Sequence, residues 1–364
     1  MKGEIKLYFK LKPYLEKYPN KFYYAFLGGR GTGKSFDMKC NIFEDFMENG
    51  EQAIVLRRYV NQLDDIKENY MDDVILEKYP EFIKDISYRH DAVYYQDKPF
   101  IFFMGLNRKG VMKAGAFPKV TKIVYEEFTP QAGEKYLSKE YQRLETLAIT
   151  VDRFQDRVTC FLLGNTTTTY NPVFQAMKCY PPLDFSVKQN NEIMIARFPT
   201  DEDLAEKQTN SRLGRVTKRS GTYSYNIQNE NLSNEMFNII PKKEFFKIKE
   251  VTKDVFNPVI TCKIDIDKYL RLWQGSTNIL FVDIINKPSN IQCFYDFDFQ
   301  NKDNIHISMV EHSVLDVFTF LYKQGRVFFS NIEAKTFAIK MAKFLNKLKE
   351  EQQGCELFEG REAL

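Results

Sequence analysis

One segment limits the folds open to this chain more than any other. The apolar run Tyr23, Tyr24, Ala25, Phe26 and Leu27 breaks into Gly28, Gly29, Arg30, Gly31, Thr32, Gly33, Lys34 and Ser35. This satisfies the pattern G-x-x-x-x-G-K-[ST] in the strand-to-helix setting that the pattern requires. Gly28, Gly31 and Gly33 can take backbone angles closed to other residues, so successive N–H groups turn inward around phosphate oxygens. Lys34 supplies a point charge for the β- and γ-phosphates, and Ser35 a hydroxyl for Mg²⁺. The helix that opens here points its positive end at the anion. Apolar residues then recur with helical spacing at Phe36, Met38, Ile42, Phe43, Phe46 and Met47, and Asn49 and Gly50 provide a stop. The segment predicts a site for a nucleoside triphosphate with Mg²⁺.

Beyond Gly50, strands alternate with helices. Residues 53–56 form a short apolar run that turns basic at Arg57 and Arg58, as a buried strand does where it emerges at a sheet edge. A helical stretch runs on to about Tyr79 and Pro80. Residues 92–95 and 100–104, joined by a turn at Asp97, Lys98 and Pro99, read as a hairpin added to the nucleotide fold. Two more strands are predicted at 121–125, ending in Glu126 and Glu127, and at 158–163, ending in Gly164 and Asn165. The pattern implies a mostly parallel α/β sheet covered on both faces. Ligands of such sheets sit at the carboxyl ends of the strands, where Gly28, Glu126 and Asn165 would lie.

At 364 residues the chain has room for two domains. The expected division is an ATPase domain over 1–200, a lid or linker over 201–249, a smaller α+β domain over 250–350 and a charged tail over 351–364. Strand-like runs in the second domain fall at 259–266, 278–285, 291–299 and 305–310. No apolar stretch is long enough to span a membrane, and lysines interrupt any leader-like core at the N-terminus, so the expected location is the cytoplasm. Cys40, Cys160, Cys179, Cys262, Cys293 and Cys355 show no metal-site or disulfide spacing and read as reduced thiols. A net charge of +3 does not announce a nucleic-acid binder, so any such surface must be local.

A phosphate loop needs carboxylates on a neighbouring strand, one to hold Mg²⁺ and one to orient the attacking water. Glu126 and Glu127 fit these two roles, Glu126 on the metal side and Glu127 as general base. Asn165 would lie near the γ-phosphate and report its presence. An arginine given by a neighbouring subunit can raise the rate by about 10³ to 10⁵, and Arg153 is the leading candidate, with Arg157 and Arg143 behind it. Arg108, Lys109 and Lys113 form a basic, glycine-containing loop suited to DNA phosphates or a neighbour's nucleotide. Lys135, Lys139, Arg212 and Arg215 are further DNA or inter-subunit candidates. In the second domain Asp283, Asp296, Asp298 and Asp303 invite a two-metal nuclease reading, although a solvated outer strand face explains Asp296 and Asp298 as well.

Taken in order, the segments at 28–35, 56–59, 123–128, 152–158, 163–165, 171–174 and 211–215 resemble the genome-packaging ATPases, or encapsidation proteins, of phi29-like tailed phages. The resemblance covers roughly the first 240 residues. It implies an additional-strand P-loop ATPase of the terminase type, a homopentameric ring that drives double-stranded DNA through the portal of a procapsid. Lys34 and Ser35 would bind ATP and Mg²⁺, Glu126 and Glu127 form the acidic motif, Arg153 act in trans, and Lys113 face the neighbouring subunit. Glu126 departs from the Asp usual at its position. In larger relatives the second domain is an RNase H-like nuclease; here it is expected to be degenerate and inactive, docking on portal, structural RNA or DNA. Alternative functions are a filamentous-phage assembly or conjugation-type ATPase, and a nucleotide-gated scaffold without turnover.

Overall fold

The computed structural model describes residues 8–108, 117–130, 134–165, 171–182, 184–219, 238–248, 251–265, 267–286, 293–294 and 312–342. The chain divides into two compact units, Met1–Leu232 and Ser233–Leu364.

The first unit opens with the short helix α1 (Lys12–Lys17), strand β1 (Tyr23–Leu27), helix α2 (Lys34–Asn49) and strand β2 (Gln52–Arg57). Helices α3 (Asn61–Asp64) and α4 (Asp72–Lys78) lead to β3 (Ile86–Arg89), β4 (Ala92–Tyr95), β5 (Lys98–Gly105) and β6 (Val120–Glu126). Next come α5 (Glu140–Asp152), β7 (Thr159–Gly164), α6 (Pro172–Ala176), β8 (Val187–Gln189), β9 (Ile193–Arg197), α7 (Glu202–Asn210) and α8 (Arg212–Arg219).

These strands form one sheet in the order β3-β4-β5-β2-β6-β7-β1-β9-β8. The central run from β5 to β9 is parallel throughout, and antiparallel partners close both edges. β7 follows β6 in the chain yet lies between β6 and β1, so an extra strand separates the acidic strand from the phosphate-loop strand. Every residue of β1 is buried, as a parallel strand covered on both faces requires. Alternation sends Phe26, Val55, Val124 and Phe161 to the face packed by Met38, Phe43 and Val74. It sends Ala25, Ile54, Ile123 and Leu162 to the face packed by Leu144, Leu147 and Val173.

The predicted hairpin is β4 and β5, turning through Gln96 and Asp97 at φ 46° and 64°; positive φ at both central residues suits the right-handed twist of the strands. It is not an attachment, because β5 continues alongside β2 and carries the parallel sheet outward. Strands β3, β8 and β9 were not anticipated. No helix among the described residues is long and apolar enough to cross a membrane. Cys40, Cys160, Cys179 and Cys262 are buried free thiols.

The second unit is a smaller α+β fold. Strands β10 (Phe256–Asp265), β11 (Lys268–Gly275) and β12 (Leu280–Ile285) form an antiparallel meander. β13 (Cys293–Phe294) lies parallel to β10, and β14 (Val327–Phe329), which follows the helix His312–Lys323, lies parallel to β12. A short helix, Lys242–Phe245, seats Phe245 on Phe281 with ring centroids 4.3 Å apart. The strand run expected at 305–310 lies outside the described residues, while β11 and β14 had not been expected.

Candidate functional site

The phosphate loop connects β1 to α2 at the carboxyl edge of the parallel sheet. Gly33, the residue before α2, has φ +87°, a conformation that strains any residue with a Cβ. At Gly28 the constraint is contact instead, since a Cβ would lie 2.5 Å from the Phe198 ring. Lys34 is buried, and its ammonium donates to Gly28 O at 3.0 Å, Gly29 O at 2.7 Å and Thr32 Oγ1 at 3.3 Å. Burial pushes its pKa down to about 7. An anion at the loop would supply the counter-charge that these neutral oxygens lack.

Glu126 ends β6 and Glu127 follows it, with φ +51° turning the chain out of the strand. Because Leu56 pairs with Tyr125, the next residue of β2, Arg57, stands opposite Glu126. Its guanidinium joins both acids, Nη2 to Glu126 Oε2 at 3.0 Å and Nη1 to Glu127 Oε2 at 2.7 Å. Burial alone would lower the pKa of Arg57, but Glu126 and then Glu127 outweigh it, and the net shift is upward. The Tyr70 hydroxyl donates to Glu126 Oε1 at 3.1 Å. Its own ionisation is pushed far up by burial and then by the Glu126 charge, so it stays a donor. Arg57 and Tyr70 are site residues that sequence reasoning missed.

Arg58 points to the opposite face and is almost wholly buried. It forms a bidentate pair with Glu140, at 2.9 and 3.1 Å, and donates to Phe128 O at 2.6 Å. Glu140 also accepts from the Tyr125 hydroxyl at 2.8 Å and from Leu137 N at 2.7 Å. This satisfied network ties the segment after Glu127 to α5 and to β2. Beyond it, Thr129 Oγ1 donates to Asn165 O at 2.7 Å. That bond holds the ends of β6 and β7 together beside Gly28, whose N–H donates to Gly164 O at 3.3 Å.

β1 and β6 are two strand spacings apart, so the phosphate loop and Glu126 flank a gap of about 10 Å at the backbone. Ser35 and Glu126 carry hydroxyl and carboxylate oxygens of the kind that could hold Mg²⁺ alongside phosphate and water. No group of three or more His, Cys, Asp or Glu among the described residues could hold a metal ion, so oxygens of the nucleotide would have to complete the set. Helix α7 reaches the other side of the loop, where Gln208 Nε2 donates to Arg30 O at 3.3 Å.

The other candidates scatter. Arg153 caps the carboxyl end of α5, just before β7 begins, and therefore stands at the amino edge of the sheet, away from its own phosphate loop. It is exposed, with φ +54°, and Phe154 and Asp156 are left-handed too. The buried Asp152 carboxylate accepts from the N–H groups of Gln155, Asp156, Arg157 and Val158 at 3.0 to 3.2 Å. Arg157 turns inward to the carbonyls of Val120 and Val151, so its guanidinium is engaged within its own subunit. Arg143 donates to Ser138 O at 3.2 Å, and Arg108 pairs with Asp91 at 3.1 Å. Lys135 and Lys139 are exposed on the connection into α5, and Arg212 and Arg215 are exposed on α8, where Arg215 also donates to Asn210 O. Lys109 and Lys113 lie outside the described residues, as do Asp296, Asp298 and Asp303. Asp283 is paired with Lys242 at 2.8 Å.

A phosphate loop after β1, paired acids at the end of β6 and a strand inserted between them define a P-loop NTPase of the additional-strand class. Over residues 5–347 the chain matches the podovirus DNA encapsidation protein (Gp16) family. It belongs to that family. It is 29% identical over 191 residues to the DNA packaging protein of Bacillus phage phi29, a match covering 52% of this chain and 56% of that protein. Against the DNA packaging protein of Bacillus phage B103 the figures are 27% over 205 residues, 56% and 62%. The chain thus spans little more than half the length of these relatives. In fold it is similar to a chain of the bacteriophage Phi-29 viral genome packaging motor assembly, with a TM-score of 0.66 and 22% identity over 93% of this chain and 99% of that one.

Proposed function

We propose that this protein is an ATPase that drives double-stranded viral DNA into a procapsid. The observation that carries the reading is the phosphate loop facing Glu126 and Glu127 across the inserted strand β7. In this reading Lys34 exchanges the loop carbonyls for the β- and γ-phosphates, and Asn165 faces the terminal phosphate. Ser35 and Glu126 would hold Mg²⁺, which when bound neutralises developing phosphate charge. Glu127 leaves Arg57 to take the proton of the attacking water. Because Arg153 stands at the amino edge of the sheet, it can serve only another subunit's site, which supports a ring; family resemblance suggests five subunits. The portal, and a structural RNA, are the docking partners this reading expects, with the second unit a non-cleaving docking domain. DNA contacts would be mostly to the backbone, so affinity falls steeply with salt and varies little with sequence.

DNA-stimulated phosphate release tests the assignment. Lys34→Ala and Glu127→Gln should each abolish it, and a near wild-type rate in either would overturn the site. Mixing Arg153→Ala with Glu127→Gln subunits should restore part of the activity. Absence of rescue at every mixing ratio would count against action in trans.

A further inference from the structure

Two consecutive arginines of β2 hold Glu127 at two different places. Arg57 takes the tip of its side chain. Arg58, which the strand sends to the other face, reaches the backbone that carries it: Nη2 donates to Phe128 O at 2.6 Å, and Nη1 to Glu127 O at 3.4 Å. The N–H of Phe128 donates to Leu163 O at 3.4 Å. The peptide after Glu127 is therefore met at its oxygen from β2 and at its nitrogen from β7. Phe128 anchors it further, being wholly buried with its ring 5.4 Å from Phe174 and 6.3 Å from Tyr125 between centroids. Gly164 leaves room for that ring, since a Cβ there would lie 2.6 Å from it.

This hold falls on a backbone that needs one. Glu127 has φ +51°, in the left-handed region that residues with a Cβ seldom adopt, and such a conformation persists where its surroundings over-determine it. Its side chain is 43% exposed, so packing does little to aim the carboxylate. The direction in which it leaves the chain is set by the peptide that Arg58 holds. Arg58 is oriented in turn by its bidentate pair with Glu140. Two more bonds brace the segment leading to Glu140: the Tyr59 hydroxyl donates to Lys135 O at 3.2 Å, and Gln62 Nε2 to Glu134 Oε1 at 3.2 Å. Apolar residues of similar volume often replace a buried ion pair without loss of stability. They cannot pair with Glu140 and donate to two carbonyls at once, which takes the fork of N–H donors that arginine carries.

We infer that Arg58 is a positioning residue for hydrolysis: with Glu140 it fixes the backbone of Glu127, so that the carboxylate is presented to the attacking water. The inference rests on the reading of Glu127 as general base and adds the group that aims it.

The test measures single-turnover ATP hydrolysis with DNA, and equilibrium ATP binding, each with Mg²⁺ on the full-length chain. Arg58→Lys keeps a charge beside Glu140 and loses the fork. Arg58→Met combined with Glu140→Gln removes both charges of the pair, so that neither is left buried alone. The rate at saturating ATP should fall by about tenfold or more in both, since a displacement of about 1 Å near the reacting groups can cost about 10²-fold. ATP affinity should stay within about twofold of wild type, a loss of rate without a loss of binding. Added to Glu127→Gln, the same changes should lower its residual rate by less than about twofold, because Arg58 acts through Glu127. A wild-type rate in either variant, rate and affinity lost together, or losses that multiply with Glu127→Gln would each overturn the role of Arg58 and leave Glu127 as the base. Wild-type hydrolysis by Glu127→Gln alone would overturn the general-base reading, and the positioning role with it.

Discussion

Arg57 holds Glu127, the residue proposed to activate water, at 2.7 Å, and the same guanidinium holds Glu126 at 3.0 Å. One cation therefore bridges both acids of the site, and one of them, Glu126, is almost completely buried. A buried carboxylate without a counter-charge is costly.

Arg57→Gln should lower the thermal midpoint by several degrees, because removing one partner of a buried ion pair costs about 3–5 kcal/mol. It should also cut the hydrolysis rate at pH 7 by about tenfold or more, because both acids lose the cation that holds them in place. A variant with an unchanged rate and midpoint would show that Arg57 is dispensable to the acids it touches.

Lys34 predicts a proton uptake. Burial has pushed its pKa from 10.5 to about 7. Between those values the unfolded chain holds more protons, so this group adds stability as pH rises through the window. The contribution is lost as pH falls through about 7. A triphosphate placed at the ammonium favours its charged form. Nucleotide binding at pH 8 should therefore take up close to one proton at Lys34, measurable by calorimetry in buffers of different ionisation heat. Lys34→Met should lose the uptake. Binding by wild type with no proton taken up would contradict the depressed pKa.

The parts of this site that could be read from sequence are those where local pattern and chemistry coincide. β1, β6 and β7 are buried parallel strands, so each appears as an apolar run with its functional residue at the carboxyl end. Arg57 carries no such signal. It reads like any basic residue leaving a strand, and it meets Glu126, 69 positions later, only because β2 pairs with β6. Nothing local separates it from Arg58, which the two-residue period of the strand sends to the other face and into the core. β9 was missed although Ile193, Met194, Ile195 and Ala196 are apolar, because no turn or motif marked its role beside β1.

In the second unit, the pairing of Asp283 with Lys242 argues against the carboxylate being reserved for a metal. The lysine also lies 5.0 Å from the Trp273 ring centroid, which keeps its charge beside the strand. Wild type and Asp283→Asn should leave supercoiled plasmid equally intact with Mn²⁺. Nicking by wild type that disappears in Asp283→Asn would restore the nuclease reading.

The loop that presents Arg153 is held from within. Arg153, Phe154 and Asp156 all adopt left-handed backbone angles, each costing on the order of 1 kcal/mol or more for a residue with a side chain. The Asp152 carboxylate offsets this by collecting four backbone N–H groups of the following residues. Asp152→Ala should release the loop while leaving the phosphate site of the same subunit untouched, since the two stand at opposite edges of the sheet. Nucleotide affinity of the variant should stay within about twofold of wild type. If Arg153 acts in trans as proposed, DNA-stimulated hydrolysis should drop by about tenfold or more, toward the level of Arg153→Ala, because a misplaced arginine gives little of its rate effect. Adding Asp152→Ala to Arg153→Ala should cost little more, as two changes acting on one contact are not additive. Full hydrolysis in Asp152→Ala, or multiplicative losses in the double variant, would show that the bracing of this loop has no part in presenting the arginine.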